Sequence, residues 1–412
     1  MERVELAVVG AGAAGLMASI HAGRVGQSTV VLDGARVLGA KILVAGGGRC
    51  NVTHDEVDEG AYFGSTPAAI RRVLRAFDVP RTIEFFAALG VTLKREDTGK
   101  LFPVTDSSRT VLDALLRAAH EAGAELRHPR RVRDVERIDD VEGVGYVVRG
   151  DWGELYARRL ILAMGGQSLP RSGSDGSGFA LARTLGHHVT PRLLPALVAL
   201  TLADGCFVRG LSGLAAETRI EVRAATGKRL HMRSGATLCT HFGLSGPAPM
   251  DISRCWQDAL IDDPGAQLVV SWLPQETAAS LDAALQALGP ETPLRYLAAR
   301  LPARLARALC EQAGVDPSTP GHALRREQRR ALVHAVLDAP LPVTGTRGWA
   351  NAEATAGGVP LSEVHLDTME SRVSPGLYLC GELLDVDGHI GGYNFQWAWS
   401  SGTLAGRGAA RG

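Results

Sequence analysis

The chain of 412 residues has little lysine and no excess of either charge. Lysine occurs only at positions 41, 94, 100 and 228, and 44 basic residues balance 44 acidic ones. We attribute the dominance of arginine to codon bias, because no clustered basic face accompanies it in the sequence. A neutral chain has no bulk attraction for nucleic acid or an anionic membrane surface. The composition therefore predicts no nucleic-acid partner and no membrane partner.

Cysteine is also sparse, and its spacing excludes a zinc site or a redox pair. The six cysteines show no C-x-x-C and no Cys/His pairing at zinc spacing. No run approaches the ~20 apolar residues of a membrane span. The apolar stretch 6–20 is flanked by Glu2 and Glu5 and interrupted by glycine, unlike a signal peptide. We predict a cytoplasmic protein with free thiols and no metal.

Glycine is plentiful, and its first concentration lies in "VELAVVGAGAAGLMASIHAGRVGQSTVVLD", residues 4–33. An apolar strand leads into G-x-G-x-x-G, a helical pattern follows, and a second strand ends on an acid 18 positions past the third glycine. The glycines permit a tight turn, a close approach to a pyrophosphate and close helix–strand packing, and the acid accepts hydrogen bonds from a ribose. The helix N-terminus favours the phosphates. The residues predicted at this dinucleotide are Gly10, Gly12, Ala13, Ala14, Gly15 and Asp33.

A second glycine-rich segment, "GARVLGAKILVAGGGRCNVTH" at 34–54, distinguishes between the possible dinucleotides. An NAD domain would continue here with further strand–helix units, whereas a long excursion can lie along an extended cofactor and bring backbone N–H groups to it. Its "KILVA" is too apolar for a flexible surface loop. The segment therefore favours FAD over NAD. Its predicted contacts are Gly39, Lys41, Gly48, Arg49, Cys50 and Asn51.

The following pattern predicts helices over 66–77, 79–89 and 109–122, a strand over 125–137, and a hairpin over 145–166 that leads into a buried strand. This order of a nucleotide unit, a helical excursion, a β-meander and a strand ending in A-x-G-G is typical of flavoproteins with two dinucleotide-binding domains. The predicted cofactor contacts in this part are Val132, Ala163, Gly165 and Gly166.

Six segments carry a resemblance to a known family. They are "GAGAAGLMAS" (10–19), "KILVAGGGRCNVTH" (41–54), "LAMGGQSLPRSGSDGSGFALARTLGH" (162–187), "CTHFGLSGPAPMDIS" (239–253), "EATAGGVPLSEV" (353–364) and "CGELLDVDGHIGGYNFQWAWSSG" (380–402). Over nearly its whole length the chain resembles the bacterial FAD-binding proteins of the aminoacetone-oxidase-like or BaiN-like kind. Asp33 stands where many relatives have Glu, and "LAMGG" replaces the commoner A-T-G-G.

The resemblance implies an α/β fold with a Rossmann-like FAD-binding domain of three β/β/α layers and an inserted β-barrel plus helical domain. We expect a discontinuous FAD-binding domain of 1–190 and 346–412 around an insertion at 191–345. The insertion is β-rich over about 192–273 and helical over about 275–340. We interpret it as a substrate-side lid, with a structural or dimerising domain as the alternative.

The segment 380–402 is expected to form the far wall of the cofactor site, because flavoproteins of this build end a late strand in a Gly–acid pair. A final helix then points its N-terminus at the flavin, where it stabilises negative charge. The Gly-Gly pair would let the backbone approach the ring. Trp397 and Trp399 are predicted as core residues. The predicted contacts are Gly381, Glu382, Gly391, Gly392, Tyr393, Asn394 and Phe395.

The resemblance implies an FAD-dependent oxidoreductase of unknown substrate, which transfers hydride between flavin N5 and a small organic molecule. Oxidation of an amine-type substrate and reduction of an activated double bond both remain open, as does transient reaction with NAD(P)H. Cys50, His241 and Tyr393 are candidates for the acid or base. A disulfide reductase is disfavoured, since 45–60 holds no second cysteine. The alternative is a structural flavin in a protein that acts through a protein or RNA partner.

Overall fold

A computed structural model describes residues 1–140 and 143–411. Residues 141, 142 and 412, which belong to the predicted FAD-binding segments, lie outside the described residues. The chain divides into two compact units. The first comprises Met1–Pro195 with Glu353–Gly412, and the second comprises Ala196–Ala352. In the described part of the chain no helix is both long enough and apolar enough to cross a bilayer.

The α-helices of the described part are numbered in chain order. They are α1 (Ala13–Gly23), α2 (Ala40–Gly48), α3 (Pro67–Ala76), α4 (Val79–Ala88), α5 (Ser108–Glu121), α6 (Ser177–Thr184), α7 (Pro247–Asp262), α8 (Ala278–Gln286), α9 (Pro293–Ala298), α10 (Ala303–Gln312), α11 (Arg326–Leu337) and α12 (Tyr393–Arg411).

The strands are numbered in the same way. The first twelve are β1 (Glu2–Val9), β2 (Thr29–Leu32), β3 (Thr53–His54), β4 (Tyr62–Gly64), β5 (Leu93–Arg95), β6 (Lys100–Pro103), β7 (Ala124–Arg127), β8 (Asp134–Asp140), β9 (Gly143–Gly150), β10 (Gly153–Leu162), β11 (Leu194–Ala196) and β12 (Leu200–Leu202). The others are β13 (Ala215–Arg223), β14 (Arg229–Thr240), β15 (Gly243–Ser245), β16 (Gln267–Ser271), β17 (Ala339–Leu341), β18 (Val343–Thr346), β19 (Ala354–Ala356), β20 (Val364–His365), β21 (Glu370–Ser371), β22 (Leu377–Leu379) and β23 (Val386–Gly388).

The first unit is built on a sheet with the strand order β20-β21-β22-β10-β1-β2-β7, to which β9 and β8 add a meander through β10. The strands β22, β10, β1, β2 and β7 run parallel. Their inner residues are almost continuously apolar and buried, as expected for strands covered on both faces. The predicted Rossmann-type α/β architecture is confirmed. The carboxyl ends of β1, β2, β10 and β22 meet at one edge, which is where such sheets bind ligands.

The two ends of the chain meet in the pairing of α1 with α12. A β-carbon on Gly402 would lie 2.5 Å from the carbonyl oxygen of Ala14, and one on Gly406 would lie 2.2 Å from that of Ala18. Only glycine permits this approach of the two backbones. The predicted core tryptophans are fully buried beside it, with Trp397 donating to the oxygen of Gly381 and Trp399 to that of Val52. The closing helix is therefore held against the first helix of the nucleotide unit.

The predicted helices of the first unit are confirmed as α3, α4 and α5, and their ends follow capping chemistry. Thr66 accepts from the N–H of Ala69 at the start of α3, and Asp78 accepts from the N–H of Arg81 at the start of α4. The predicted strand over 125–137 is wrong as one element, because it is divided into β7 and β8. Pro129 lies in the break, and proline has no N–H to donate to a ladder.

The second unit contains an antiparallel sheet in the order β17-β16-β13-β14-β15-β12-β18. Among the described residues no pairing closes β17 onto β18. The 16-residue helix α7 lies within the range predicted to be β-rich, and the sequence reading missed it. Its start follows from Pro247 at the first helical position, where proline is favoured because its missing N–H is not needed. The helices α8 to α11 form the predicted helical half.

Candidate active site and cofactor site

The first glycine motif has a different geometry at each glycine. Gly10 has φ +104°, and a β-carbon there would lie 2.4 Å from the carbonyl oxygen of Ala163. A β-carbon on Gly15 would lie 1.8 Å from the oxygen of Gly10. Gly12 is the N-cap of α1 at φ −81°, and a β-carbon there would meet no atom within 4 Å. Gly10 and Gly15 are therefore required by the fold itself, whereas Gly12 borders open space.

The N-terminus of α1 is prepared for an anion. Its N-cap provides no side-chain acceptor, and its first turn, which contains Ala13 and Ala14, holds no acidic residue. The N–H groups of this turn therefore have no competing carboxylate on the helix. A helix start of this kind favours phosphate through free N–H groups and the helix dipole.

Asp33 lies at the end of β2 beside the glycine turn. Its carboxylate accepts from the N–H of Ala11 at 2.6 Å and from that of Ala35 at 2.7 Å. Each carboxylate oxygen can accept a further bond, so a ribose contact stays possible and remains a prediction. The carbonyl of Asp33 also accepts from Arg130, and Val132 is buried two residues later. This places Val132 at the same end of the site.

The second glycine-rich segment is partly helical, because α2 occupies its centre. A β-carbon on Gly39 would lie 2.4 Å from Leu112, while one on Gly48 would have only the oxygen of Leu43, at 3.9 Å, within 4 Å. Asn51 is buried, and its Oδ1 has no hydrogen-bond partner among the described residues. An unpaired buried acceptor is costly unless a ligand donates to it. Asn51 is therefore the residue of this segment that best fits a cofactor contact.

The neighbours of Asn51 are engaged differently. Arg49 lies over the ring of Phe102, 4.0 Å from its centroid, and donates to Glu96 at 2.6 Å. Its charge is therefore already compensated within the protein. Cys50 is fully buried, and burial raises the pKa of its thiol to about 12. A protonated, enclosed thiol is a poor nucleophile and a poor acid at neutral pH, so Cys50 is unsuited to the acid–base role considered for it.

A polar cluster joins four segments that are separated in sequence. Lys41 Nζ lies 2.5 Å from Glu382 Oε2 and 2.7 Å from Ser168 Oγ. Ser168 and Thr355 both donate to Glu382 Oε1 at 2.7 Å. A β-carbon on Gly166 would lie 2.4 Å from Thr355 Oγ1. We call these four side chains, Lys41, Ser168, Thr355 and Glu382, the Glu382 cluster.

Three further predicted contacts follow the carboxyl ends of β10 and β22. Gly165 has φ +73°, and a β-carbon there would lie 2.8 Å from Ser174 Oγ. The carbonyl of Ala163 forms the wall against Gly10. Gly381 has φ +73°, and a β-carbon there would lie 2.8 Å from the side chain of Ala14. The ends of β1, β10 and β22 thus converge, as the sheet topology requires.

The closing segment differs in detail from the expectation. A β-carbon on Gly392 would lie 2.6 Å from the backbone of Thr53, so this glycine is required by protein packing. The amide of Asn394 bonds both the N–H and the carbonyl of Gly388, which leaves its side chain occupied. Phe395 stacks on Trp399, with ring centroids 5.5 Å apart. These side chains brace the turn, and their backbone contact with the flavin remains a prediction.

Tyr393, the first residue of α12, has an aromatic environment. Its ring stacks on His54 at 5.0 Å, and its carbonyl accepts from Tyr62 Oη at 2.9 Å. His54 Nε2 lies 2.9 Å from the carbonyl oxygen of Thr98, and its Nδ1 accepts from the N–H of Glu56 at 3.2 Å. His241, the third acid–base candidate, is an exposed residue of the second unit.

Sequence reasoning missed Ser168, Thr355, Glu353 and Lys100. Lysine scarcity could have drawn attention to Lys100, because this chain uses arginine almost everywhere else. The side chain of Glu353 is exposed to solvent, but many protein atoms surround its carboxyl group. Desolvation raises the pKa of its carboxyl, and the charge of Lys100 opposes that rise. Ser168 and Thr355 lie in two of the segments that carry the family resemblance, but nothing in those segments marks either hydroxyl as a partner of Glu382.

A buried Ser–His–Glu arrangement is present in the first unit but serves the fold. His187 bonds Glu363 at 2.7 Å and Ser371 Oγ at 2.8 Å. Ser371 is only 3% exposed, and its Oγ also accepts from the N–H groups of Val373 and Ser374. A nucleophile needs access to substrate, so this group is a structural brace.

Taken together, the residues at the carboxyl edge of the sheet fit FAD. The uncapped start of α1, the open space at Gly12, and the unpaired Oδ1 of Asn51 match a long ligand with a diphosphate and polar groups. The Glu382 cluster supplies both an acceptor and an ammonium group at the end of β22. A ligand that touches all of these must be extended, which agrees with a dinucleotide.

Comparison with known proteins agrees with this geometry. Residues 4–408 match the family described as HI0933-like protein Rossmann domain. The chain is 36% identical, over 98% of both chains, to the 3-dehydro-bile acid delta(4,6)-reductase of Clostridium scindens. It is 33% identical to the ribosomal RNA dihydrouridine synthase of Escherichia coli, over 97% of this chain and 96% of that one.

A solved structure of similar fold is the 3-ketosteroid delta1-dehydrogenase of Sterolibacterium denitrificans, with a TM-score of 0.54 and 14% identity over 100% of both chains. At that identity the likeness concerns the fold alone. The family match covers nearly the entire chain. The chain therefore belongs to the HI0933-like Rossmann family, and it is an FAD-dependent oxidoreductase.

Proposed function

We propose that this chain reduces a carbon–carbon double bond that is conjugated to a carbonyl group. The observation that carries the proposal is that its curated relatives share one bond chemistry on unrelated molecules. A 3-dehydro-bile acid delta(4,6)-reductase saturates double bonds conjugated to a 3-keto group. A dihydrouridine synthase saturates the uracil double bond, which is conjugated to a ring carbonyl. This chain matches both kinds of relative over more than nine-tenths of its length.

The chain's own residues support binding and charge stabilisation. When bound in reduced form, FAD supplies the hydride at its N5. The α1 N-terminus would hold the diphosphate, and the Glu382 cluster would hold hydroxyl groups of the ribityl chain. The 19-residue helix α12 holds no acidic residue in its first turn, so its positive end can stabilise negative charge on the reduced ring. The high pKa and isolation of Cys50 disfavour thiol–disulfide chemistry.

Uridine within RNA is a second candidate substrate, and one structural feature favours it. The second unit has a cavity of about 370 Å³ whose lining includes Arg295, Arg304 and Arg307 of α9 and α10 and contains no carboxylate. Guanidinium groups bind phosphate oxygens well. The balanced total charge conceals this local concentration. The expected absence of a nucleic-acid partner rested on that total and stays a prediction.

The test of the main proposal uses the FAD-loaded protein, reduced with dithionite without oxygen. It is then mixed with 2-cyclohexen-1-one, 4-androstene-3,17-dione or a uridine-containing oligonucleotide, and the oxidised FAD-loaded protein is mixed separately with benzylamine. Return of the oxidised-flavin absorbance with an enone or with uridine, together with formation of the saturated product, is the expected result. Reduction of oxidised FAD by benzylamine, with no reaction between reduced FAD and any conjugated acceptor, would overturn the proposal in favour of an amine oxidase.

A mobility-shift titration with a ribosomal RNA fragment separates the two substrate classes. Binding that weakens with salt and is lost in an Arg304→Gln/Arg307→Gln double variant favours RNA. Equal binding by the wild type and the double variant, or no binding by either, favours a small molecule. Arg183→Gln is the matched control, because Arg183 is an exposed arginine of α6 in the first unit.

A further inference from the structure

Glu353 and Lys100 are of opposite charge, and neither is paired. Neither side chain makes a hydrogen bond or an ion pair with a residue in the described part of the chain. Lys100 nevertheless acts on Glu353 electrostatically. Most other charged groups of the first unit that flank the site are paired, as in Lys41 with Glu382 and Arg49 with Glu96. An unpaired acid and base near a cofactor site suggest a role toward substrate.

The backbone fixes Glu353 beside the Glu382 cluster. The carbonyl oxygen of Glu353 lies 3.4 Å from Ser168 Oγ, whose single hydroxyl proton is directed mainly to Glu382 Oε1 at 2.7 Å. Two residues further on, Thr355 donates to the same carboxylate and accepts from the N–H groups of Gln167 and Ser168. The strand β19, which follows Glu353, is fully buried. The main chain of Glu353 is therefore anchored while its side chain remains accessible.

Lys100 lies near Gly391 of the closing segment 380–402, whereas Glu353 lies near Glu382 of the same segment. It lies on β6 in register with His54. Its Cε would be 3.6 Å from a β-carbon on Gly391, and His54 Cδ2 would be equally close. Gly391 has φ +129° and precedes the start of α12, the helix predicted to face the flavin ring. The side chain of Lys100 thus lies beside the turn at Gly391, and Glu353 lies beside the Glu382 cluster.

We propose that Glu353 is the catalytic proton donor of the reduction and that Lys100 binds the substrate carbonyl oxygen. This rests on the proposed function. Bound reduced FAD would supply the hydride for a new C–H bond at the β-carbon; the π electrons of the double bond would move toward the carbonyl, and Lys100 would stabilise the negative charge on its oxygen. Glu353 then gives its proton to the α-carbon, the carbonyl re-forms, and the carboxylate regains a proton from water. The two electrons used would be restored by a two-electron donor such as a nicotinamide or, in the assay, by dithionite.

The electrostatics of the neighbouring groups agree with this division of roles. Desolvation raises the pKa of the Glu353 carboxyl, and Lys100 only partly offsets it. A carboxylic acid with a raised pKa retains its proton nearer to neutral pH, which general acid catalysis requires. Lys41 and Glu382 neutralise one another, and His54 has both ring nitrogens bonded to backbone. These groups leave Glu353 as the accessible acid.

The test compares Glu353→Gln, Glu353→Asp and Lys100→Met with Glu84→Gln, a matched control at an exposed carboxylate of α4. Each FAD-loaded variant is reduced with dithionite and mixed with 2-cyclohexen-1-one. We expect Glu353→Gln to slow reoxidation by about 100-fold or more and to remove the fall in rate at high pH. Glu353→Asp should recover part of the rate. Lys100→Met should mainly raise the enone concentration that gives half of the maximal reoxidation rate. Glu84→Gln should behave as wild type.

A second measurement does not depend on turnover. The carboxyl carbon of Glu353 is titrated by NMR in the apoprotein, assigned by its loss in Glu353→Gln. We expect a pKa above the ordinary glutamate value that rises further in Lys100→Met. A wild-type rate and pH profile in Glu353→Gln, or an ordinary pKa unaffected by Lys100→Met, would refute the inference. If no conjugated acceptor reoxidises the wild type, the proposed function fails, and the titration alone then judges the electrostatic pair.

Discussion

Gly10 and Gly12 are separated by one residue, yet the structure predicts opposite consequences when each gains a side chain. Valine at position 12 would meet no protein atom within 4 Å of its β-carbon, and φ −81° is ordinary for any residue. The apoprotein should therefore fold as well as the wild type. Alanine at position 10 would place a β-carbon 2.4 Å from a backbone oxygen at φ +104°. That change should destabilise the apoprotein by at least about 1–3 kcal/mol.

For FAD affinity the order should be reversed, so that Gly12→Val weakens binding more than Gly10→Ala does. A valine side chain at position 12 would occupy the space that we assign to the diphosphate. Losing about two charge-assisted hydrogen bonds to N–H groups costs about 3–6 kcal/mol, which is about 10²–10⁴-fold in Kd. The assays are titration of apoprotein with FAD by calorimetry and urea unfolding of the same apoprotein. Gly12→Ala should fall between the wild type and Gly12→Val in affinity.

Two results would refute this reasoning. If Gly12→Val binds FAD within a few-fold of the wild type, the diphosphate does not lie where the helix start and the open space place it. If Gly12→Val unfolds at much lower urea than the wild type, the space around Gly12 is needed by the protein itself. Gly10→Ala serves as the comparison, because its defect should be visible without any FAD.

Three further predictions concern the same unit. In a double-mutant cycle on the apoprotein, Lys41→Met and Glu382→Gln should each lower the free energy of unfolding. The loss in the double variant should be smaller than the sum of the two single losses by about 0.5–3 kcal/mol. Strict additivity would exclude a coupled pair. Burial lowers the pKa of His21 to about 3, so at low pH the unfolded chain binds a proton that the folded chain does not. The free energy of unfolding should therefore be highest above about pH 6.5 and should fall by about 2 kcal/mol near pH 5. A His21→Met variant that keeps the whole pH dependence would contradict this origin. Cys50 should resist dithiobisnitrobenzoate until the protein unfolds, and Cys50→Ala should keep enone reduction; rapid native labelling at Cys50 would show that the thiol is accessible.

The first glycine motif was predictable from sequence because most of its residues act locally, although Gly10 also packs against the distant backbone of Ala163. A strand, a tight turn, a helix start and an acid at the next strand end follow one another within 33 residues, and each has a backbone reason. The capped helices α3 and α4 were predictable for the same reason. Pro247 at the first helical position is a local signal for α7 that the β-rich prediction over about 192–273 did not use.

The closing segment shows where local reasoning ends. Its Gly-Gly pair was predicted to let the backbone approach the flavin ring, which stays a prediction, whereas the structure places the backbone of Thr53 against Gly392. Asn394 looked like a ligand because it stands at a helix start, yet its amide is used by Gly388. A side chain's partner depends on which segments the fold brings together, and that is not written in the few residues around it.

By itself the sequence determined that a dinucleotide unit begins the chain and that a glycine-rich segment near its end was built for close contact. Backbone conformation and helix starts are short-range properties, so their residues reveal them. Only the tertiary structure decided that Lys41 and Ser168 hold Glu382, that Asn51 is left with an unpaired acceptor, and that Glu353 and Lys100 remain unpaired. Those pairings join residues far apart in the chain, and only the parallel sheet and the contact of α12 with α1 bring them to one edge.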